Sequence, residues 1–223
     1  SPTRVLFINL ERSAESVRRR VGRVNRALGL PPNRTLLIIN ARGHTLQNVI
    51  ESARRSVQDY QVGLVILDSL SRAGGGDLTE NRPVNAIADQ LNGLCETWLG
   101  IAHTPRVDES HVFGSVMWDA AVDTAVRLIG KGTETTLAVG LIMTKTNDVP
   151  KTRMQKIAME FDDNGLTTVR QARHDEFPEL EEGLAPPTLK EELIEYIREA
   201  GKTSATDAAK ELKRNRSNVA NLL

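Results

Sequence analysis

The chain has 223 residues, 39% hydrophobic and 26% charged, an ordinary globular mix that excludes disorder, collagen and coiled coil as global descriptions. Its 29 Lys and Arg balance 29 Asp and Glu, so DNA wrapping driven by net charge is excluded, while a local basic patch is not. The single Cys95 excludes an intrachain disulfide and a Cys-built metal site, and fits a reducing, cytoplasmic compartment; no apolar run reaches the ~18–20 residues of a membrane span and no signal-peptide pattern opens the sequence.

Val5 to Leu10 reads as a short buried parallel strand, with Glu11 at its carboxyl end. Ser13 and Glu15 open a helix to about Leu28, with Val17, Val21, Val24 and Leu28 at helical spacing, and Gly29 and Pro31-Pro32 stop it. Leu36–Ile39 is a second strand and Leu46 to Tyr60 a second helix. Gly63 to Asp68 is a third strand, again apolar and again ending in an acid. Gly74-Gly75-Gly76 marks a flexible loop. A third helix is expected from about Glu80 to Trp98, then a fourth strand over Leu99–Ala102 that ends at His103. This alternation implies an α/β domain with a mostly parallel sheet. The segments 122–129, 135–144, 155–161 and 166–170 read as consecutive antiparallel strands that extend that sheet at one edge.

The acidic, proline-bearing stretch from Asp175 to Pro187 reads as a linker. Beyond it, Thr188-x-x-Glu191 and Ser204-x-x-Asp207 look like capping-box helix starts. The expected organisation is therefore 1–172 as the α/β core, 173–187 as linker and 188–223 as a small all-helical module.

Three polar residues fall at the ends of apolar strands: Glu11, Asp68 and His103. In open parallel sheets, ligands sit at the carboxyl ends of the strands. Each of the three alone reads as a turn or cap residue; together they point to a site.

The stretches VLFINLE, LVILDSLSRA, GIAHTPR, GSVMWDAAVD and LIMTKTN, in this order and spacing, resemble the RecA-like AAA family ATPases of the DnaB-type and plasmid RepA-type hexameric helicase branch. The resemblance covers about residues 1–170 and implies a three-layer P-loop NTPase fold. It implies ATP and Mg²⁺ as cofactors, single-stranded DNA as partner and self-association into a ring. On it, Glu11 orients and deprotonates the attacking water, Asp68 holds Mg²⁺ through a bound water, and Ser69 lies beside it against the nucleotide. His103 senses the γ-phosphate, and Lys145 reaches a neighbouring subunit's nucleotide. The residue types suit in-line phosphoryl transfer, which needs a positioned water, a hard cation and charge stabilisation. The loops 71–82 and 104–113 then touch DNA through Arg72, Arg82 and Arg106; without the resemblance they read as solvated loops.

Two departures stand out. The phosphate loop G-x-x-x-x-G-K-[ST] is absent: Gly74-Gly75-Gly76 lacks the following Gly-Lys-Ser/Thr, and Gly130-Lys131-Gly132-Thr133 lies between strands. The resemblance places that loop upstream of Val5. The chain, which opens on Ser1, is then expected to begin after it, to leave a gap in the sheet and to bind ATP weakly or not at all. The other departure is Lys145-Thr146-Asn147 where many relatives have Lys-x-Arg, so no arginine finger carries over.

Arg18, Arg19, Arg20, Arg23 and Arg26 crowd the first helix. They read as a solvated or subunit-facing surface, with a nucleic-acid patch as the alternative. The C-terminal segment SATDAAKELKRNRSNVANLL resembles a helix-turn-helix of the winged-helix kind. That resemblance turns Ser217, Asn218 and Asn221 toward a major groove and sets Lys213, Arg214 and Arg216 on phosphates; a packing or partner module is the bland alternative. Three functional readings result: an ATP-dependent DNA-processing motor of a plasmid, phage or mobile element; a non-catalytic DNA-binding or regulatory protein; and a RecA-like recombination or signalling ATPase that does not unwind DNA.

Overall fold

The protein is described by a computed structural model over residues 3–104, 112, 114–173, 175–182 and 188–223. Strands β1 (Val5–Asn9), β2 (Leu37–Asn40), β3 (Leu64–Asp68) and β4 (Trp98–Ile101) form an all-parallel sheet in the order β2-β1-β3-β4. Helices α1 (Ala14–Ala27), α2 (Leu46–Asp59) and α4 (Asn81–Asn92) are its crossovers, and the short α3 (Leu70–Ala73) follows β3 directly.

Side chains alternate across the strands, so the sheet has two distinct faces. Leu6, Ile8, Val65 and Leu67, each at 0% exposure, pack with Leu46, Ile50 and Ala53 of α2 and Val84, Ile87 and Leu91 of α4. Burying each such side chain contributes about 1.5–3 kcal/mol. The opposite face carries Val5, Phe7, Leu64 and Ile66, all only partly buried, with Leu99 and Ile101 in register beside β3. Leu99 and Ile101 are 52% and 40% exposed. Among the described residues, α1 lies over that side, with Val17, Val21 and Val24 turned toward Phe7 across an open cavity of about 510 Å³.

Local chemistry sets the crossover ends. The Ser13 hydroxyl accepts from the Ser16 amide and caps α1, Glu15 lies in its first turn and Arg26 in its last, charges that suit the helix dipole. Gly29, at φ +68, takes the left-handed turn that ends it.

Three expectations are corrected. The helix after the glycine loop stops at Asn92, because Gly93 ends it and Trp98 already belongs to β4. The antiparallel strands do not extend the first sheet. Strands β5 (Thr124–Gly132), β6 (Thr136–Thr146), β7 (Gln155–Asp162) and β8 (Gly165–Gln171) form a separate sheet in sequential order. The chain is diverted after β4 by α5 (Met117–Ala121), whose Trp118 is 2% exposed in the main core. Just before it, Ser115 donates its amide to the Leu78 carbonyl and Gly114 sits at φ +117, where a Cβ would meet that carbonyl oxygen at 2.6 Å. The anticipated gap between strands is not present either: β2, β1, β3 and β4 are contiguous, and among the described residues the outer edges of β2 and β4 are unpaired.

The stretch read as linker is in part packed structure. Pro178–Leu180 forms a 3-10 turn against the second sheet, with Leu180 1% exposed. Lys156, itself 4% exposed, donates to the Glu176 carbonyl at 2.7 Å and pairs with Glu181 at 3.0 Å. Helices α6 (Leu189–Ala200), α7 (Ala205–Glu211) and α8 (Arg216–Ala220) close a small core of Leu193, Ala208, Ala209 and Val219. No wing hairpin occurs among its described residues. No helix among the described residues is long and apolar enough to cross a membrane.

Candidate functional site

Adjacent parallel strands bring their carboxyl ends together, and with them Glu11, Asp68, Ser69 and His103. The registers align Asn9 with Asp68 and Asp68 with Ile101, and the Leu10 amide donates to the Asp68 carbonyl at 2.7 Å. His103 Nε2 lies 3.8 Å from Glu11 Oε2, with the imidazole largely in solvent. The Ser69 hydroxyl, fully buried, stands close enough to the Glu11 carboxylate to lower its pKa and meets the Ser71 hydroxyl at 2.8 Å. The Asp68–Ser69 peptide is cis.

The two carboxyl groups are driven in opposite directions. The Ser69 hydroxyl holds Glu11 below the ordinary glutamate range, helped by the charges of His103, Arg12 and Arg72 against partial burial. Burial pushes Asp68 up, and the negative charge of Glu11 adds to it against Arg12, His103 and Arg20. Neighbouring carboxyls separated in this way are a common arrangement for dividing acid and base roles.

Asn9 organises the turn that presents Glu11. It is 0% exposed. Its side-chain oxygen accepts from the Arg12 amide at 2.9 Å and the Glu11 amide at 3.4 Å. Its nitrogen donates to the Arg12 carbonyl at 2.7 Å and to Asn40 at 3.0 Å. Sequence reasoning missed Asn9 and Arg12; the available signal was a lone polar residue inside the otherwise apolar VLFINL.

The other expected residues are dispersed. Arg72 is exposed and acts on Glu11 through its charge. Arg82 stands in the first turn of α4 and lines a smaller cavity of about 260 Å³ with Gly74–Gly76 and Gln47; no described contact joins it to Glu11. Lys145 donates to the carbonyls of Val122, at 2.7 Å, and Asp119, so it closes the C-terminal end of α5. Arg106 lies outside the described residues, with most of the loop 104–113. In the C-terminal unit, Arg214 makes a two-pronged pair with Glu192 at 2.8 and 2.9 Å. Arg216 donates to the Thr206 hydroxyl at 3.0 Å, and Ser217 is bonded to Asn215, which caps α8. Lys213, Asn218 and Asn221 are exposed.

No group of three or more His, Cys, Asp or Glu side chains among the described residues forms a metal cage. One or two carboxylates beside a hydroxyl is instead the donor set that suits Mg²⁺, which keeps several waters and takes further oxygens from substrate phosphates. Asp68 with Ser69 fits that role. Gly130-Lys131-Gly132 lies within β5, so it forms no strand-to-helix phosphate loop.

Residues 1–107 match the AAA domain family. The crystal structure of the RadB recombinase shares the fold at a TM-score of 0.51 and 15% identity, covering 75% of this chain and 80% of that one. No curated protein matches the sequence. The structural match shows a shared α/β fold, and the family match spans just under half of the 223 residues.

Proposed function

We propose that this chain carries the water-activating part of a nucleotide-dependent DNA motor of the DnaB/RepA type. The carrying observation is the convergence of Glu11, Asp68, Ser69 and His103 at the ends of three adjacent parallel strands. Glu11, kept ionised by Ser69, accepts the proton of the attacking water. Asp68 and Ser69 hold the hydrated cation that neutralises phosphate charge. His103, whose Nε2 stands 3.8 Å from Glu11, registers loss of the γ-phosphate and passes it to the loop that follows.

The phosphate-binding backbone belongs, on this reading, to a strand–helix unit that pairs with the free edge of β4. A parallel sheet is covered on both faces, and a right-handed crossover from that edge to β1 runs over Ile66 and Leu99 on the α1 side. Those residues are incompletely covered here. The assembly is a ring of copies that moves single-stranded DNA.

The test is ATP turnover in protein that includes such a unit. Glu11→Gln is expected to lower kcat by about 10²–10⁴-fold with nucleotide binding intact. Unchanged turnover in Glu11→Gln overturns the assignment. Strand displacement on forked DNA separates the motor from a recombination-type ATPase without unwinding. A DNA-binding regulator is the second reading, favoured by the self-contained core of α6, α7 and α8 and the exposed Lys213, Asn218 and Asn221. Sequence-selective binding that persists without nucleotide would support it.

A further inference from the structure

Residues 1–34 hold eight arginines and two glutamates, whereas the whole chain has a formal net charge of zero. No lysine occurs in that stretch. The charge concentrates on α1. Its apolar stripe, Val17, Val21 and Val24, faces the sheet. Its outer side presents Arg18, Arg19, Arg23 and Arg26, all exposed. Glu15 is the one acid there and is paired with Arg19 at 3.5 Å. Arg18, Arg23 and Arg26 make no ion pair among the described residues. The Arg23 guanidinium lies against the turn between β7 and β8, where a Cβ at Gly165 would meet it at 3.2 Å.

Arg19–Arg23 at i,i+4 and Arg23–Arg26 at i,i+3 place like charges side by side, which opposes the helix. An anionic partner removes that opposition. We infer that the outer face of α1 is a nucleic-acid-binding surface that takes the phosphates of a single strand, separate from the loops at the strand ends.

The chemistry selects this partner over two others. A helix that lies on a membrane needs a continuous exposed apolar side to insert; the apolar stripe of α1 lines the cavity against its own sheet, and of its three valines Val24 alone is exposed, at 41%. A protein partner needs an apolar or aromatic centre to the contact; among the outward residues Glu15, Arg18, Arg19, Gly22, Arg23 and Arg26 there is none. What remains is an evenly charged, apolar-free row of guanidiniums, whose planar forks match phosphate oxygens two at a time. At 1.5 Å rise per residue, Arg19, Arg23 and Arg26 step about 6 and about 4.5 Å along the axis.

The experiment is anisotropy binding of the full chain to a labelled mixed-sequence single-stranded oligonucleotide across a salt series, without nucleotide. It compares the native chain with Arg18→Gln/Arg19→Gln/Arg26→Gln. Circular dichroism verifies that both are folded. Each lost phosphate contact lowers the slope of log K against log salt by about 0.7 on single strands. Three lost contacts lower it by about 2, and weaken binding more than ten-fold at low salt. A variant at Lys213 and Arg216 separates this surface from the C-terminal unit and is expected to leave that slope difference in place. An unchanged slope in the triple variant overturns the inference. So does competition by poly-glutamate as effective as by unlabelled oligonucleotide, or equal retention on anionic phospholipid vesicles. The readout involves no ATP, so its failure leaves the hydrolysis reading untouched, and the converse holds.

Discussion

The Glu11 cluster and the Lys156 cluster both gather carboxylates and cations beside a sheet, and they treat those charges differently. Around Lys156 the ions are closely paired: Lys156 to Glu181 at 3.0 Å, Arg153 to Glu181 at 3.4 Å, Arg170 to Glu176 at 2.9 Å. These pairs fasten residues 175–182 to the second sheet. Around Glu11, among the described residues, the basic side chain within 4 Å is His103 at 3.8 Å, with an exposed imidazole. There the two carboxyls are driven apart in acidity by Ser69 and by burial. Saturated pairing holds a segment in place; incomplete pairing leaves charge available to a ligand.

The sharpest way to break this comparison is Lys156→Ala. Among the described residues it leaves Glu181 with Arg153 alone beside a buried hole and is expected to cost about 3–5 kcal/mol, read as a lower urea midpoint. A loss under about 1 kcal/mol would show that the cluster is not structural. Replacing Lys156 and Glu181 together by apolar residues of similar size is expected to recover most of the loss.

Asn9→Ala comes next. It leaves the Glu11 and Arg12 amides without their acceptor and is expected to cost about 1–3 kcal/mol. It should also free Glu11 from Ser69, raising the carboxyl pKa in an NMR titration. If stability falls while that pKa stays depressed, Asn9 supports the fold without positioning Glu11.

Ser69→Ala sharpens the electrostatic half. In the native protein Glu11 is depressed, so its stabilising contribution is present above the ordinary glutamate pKa and is lost as pH falls through the lower folded value. Asp68 is raised, so it opposes folding as pH climbs above its unfolded pKa. Removing Ser69 takes away the largest cause of the depression at Glu11, and the loss of stability on the acid side should shrink. Unfolding curves collected from neutral to acid pH, in both proteins, show whether it does. The smallest effect expected is at Arg214→Ala: the arginine of the pair with Glu192 is about half exposed, so the cost should be small, seen as a slight shift in the unfolding of residues 188–223.

Much of the site was legible because it depends on local pattern. An apolar run of five or six residues with an acid or histidine behind it places that side chain at a strand's carboxyl end, whatever the neighbours are. Glu11, Asp68 and His103 were found in this way. Asn9 was missed because its part depends on Arg12 and on Asn40, thirty-one residues away across a strand pair. Lys145 was placed correctly on a late strand, but its engagement with the carbonyls closing α5 follows from the packing of Trp118, which periodicity does not reveal.

By itself, then, the sequence determined the alternation of strands and helices, the carboxyl-end residues, the arginine-rich first crossover and the helical C-terminal unit. All of these follow from side-chain period, caps and charge along a short stretch of chain. Only the tertiary structure decided that the late strands form a sheet of their own, that β4 keeps a free edge, and that residues 175–182 are packed rather than loose. Each of those outcomes is a competition between distant surfaces for the same hydrogen bonds and the same apolar contact, and a local pattern does not record which surface wins.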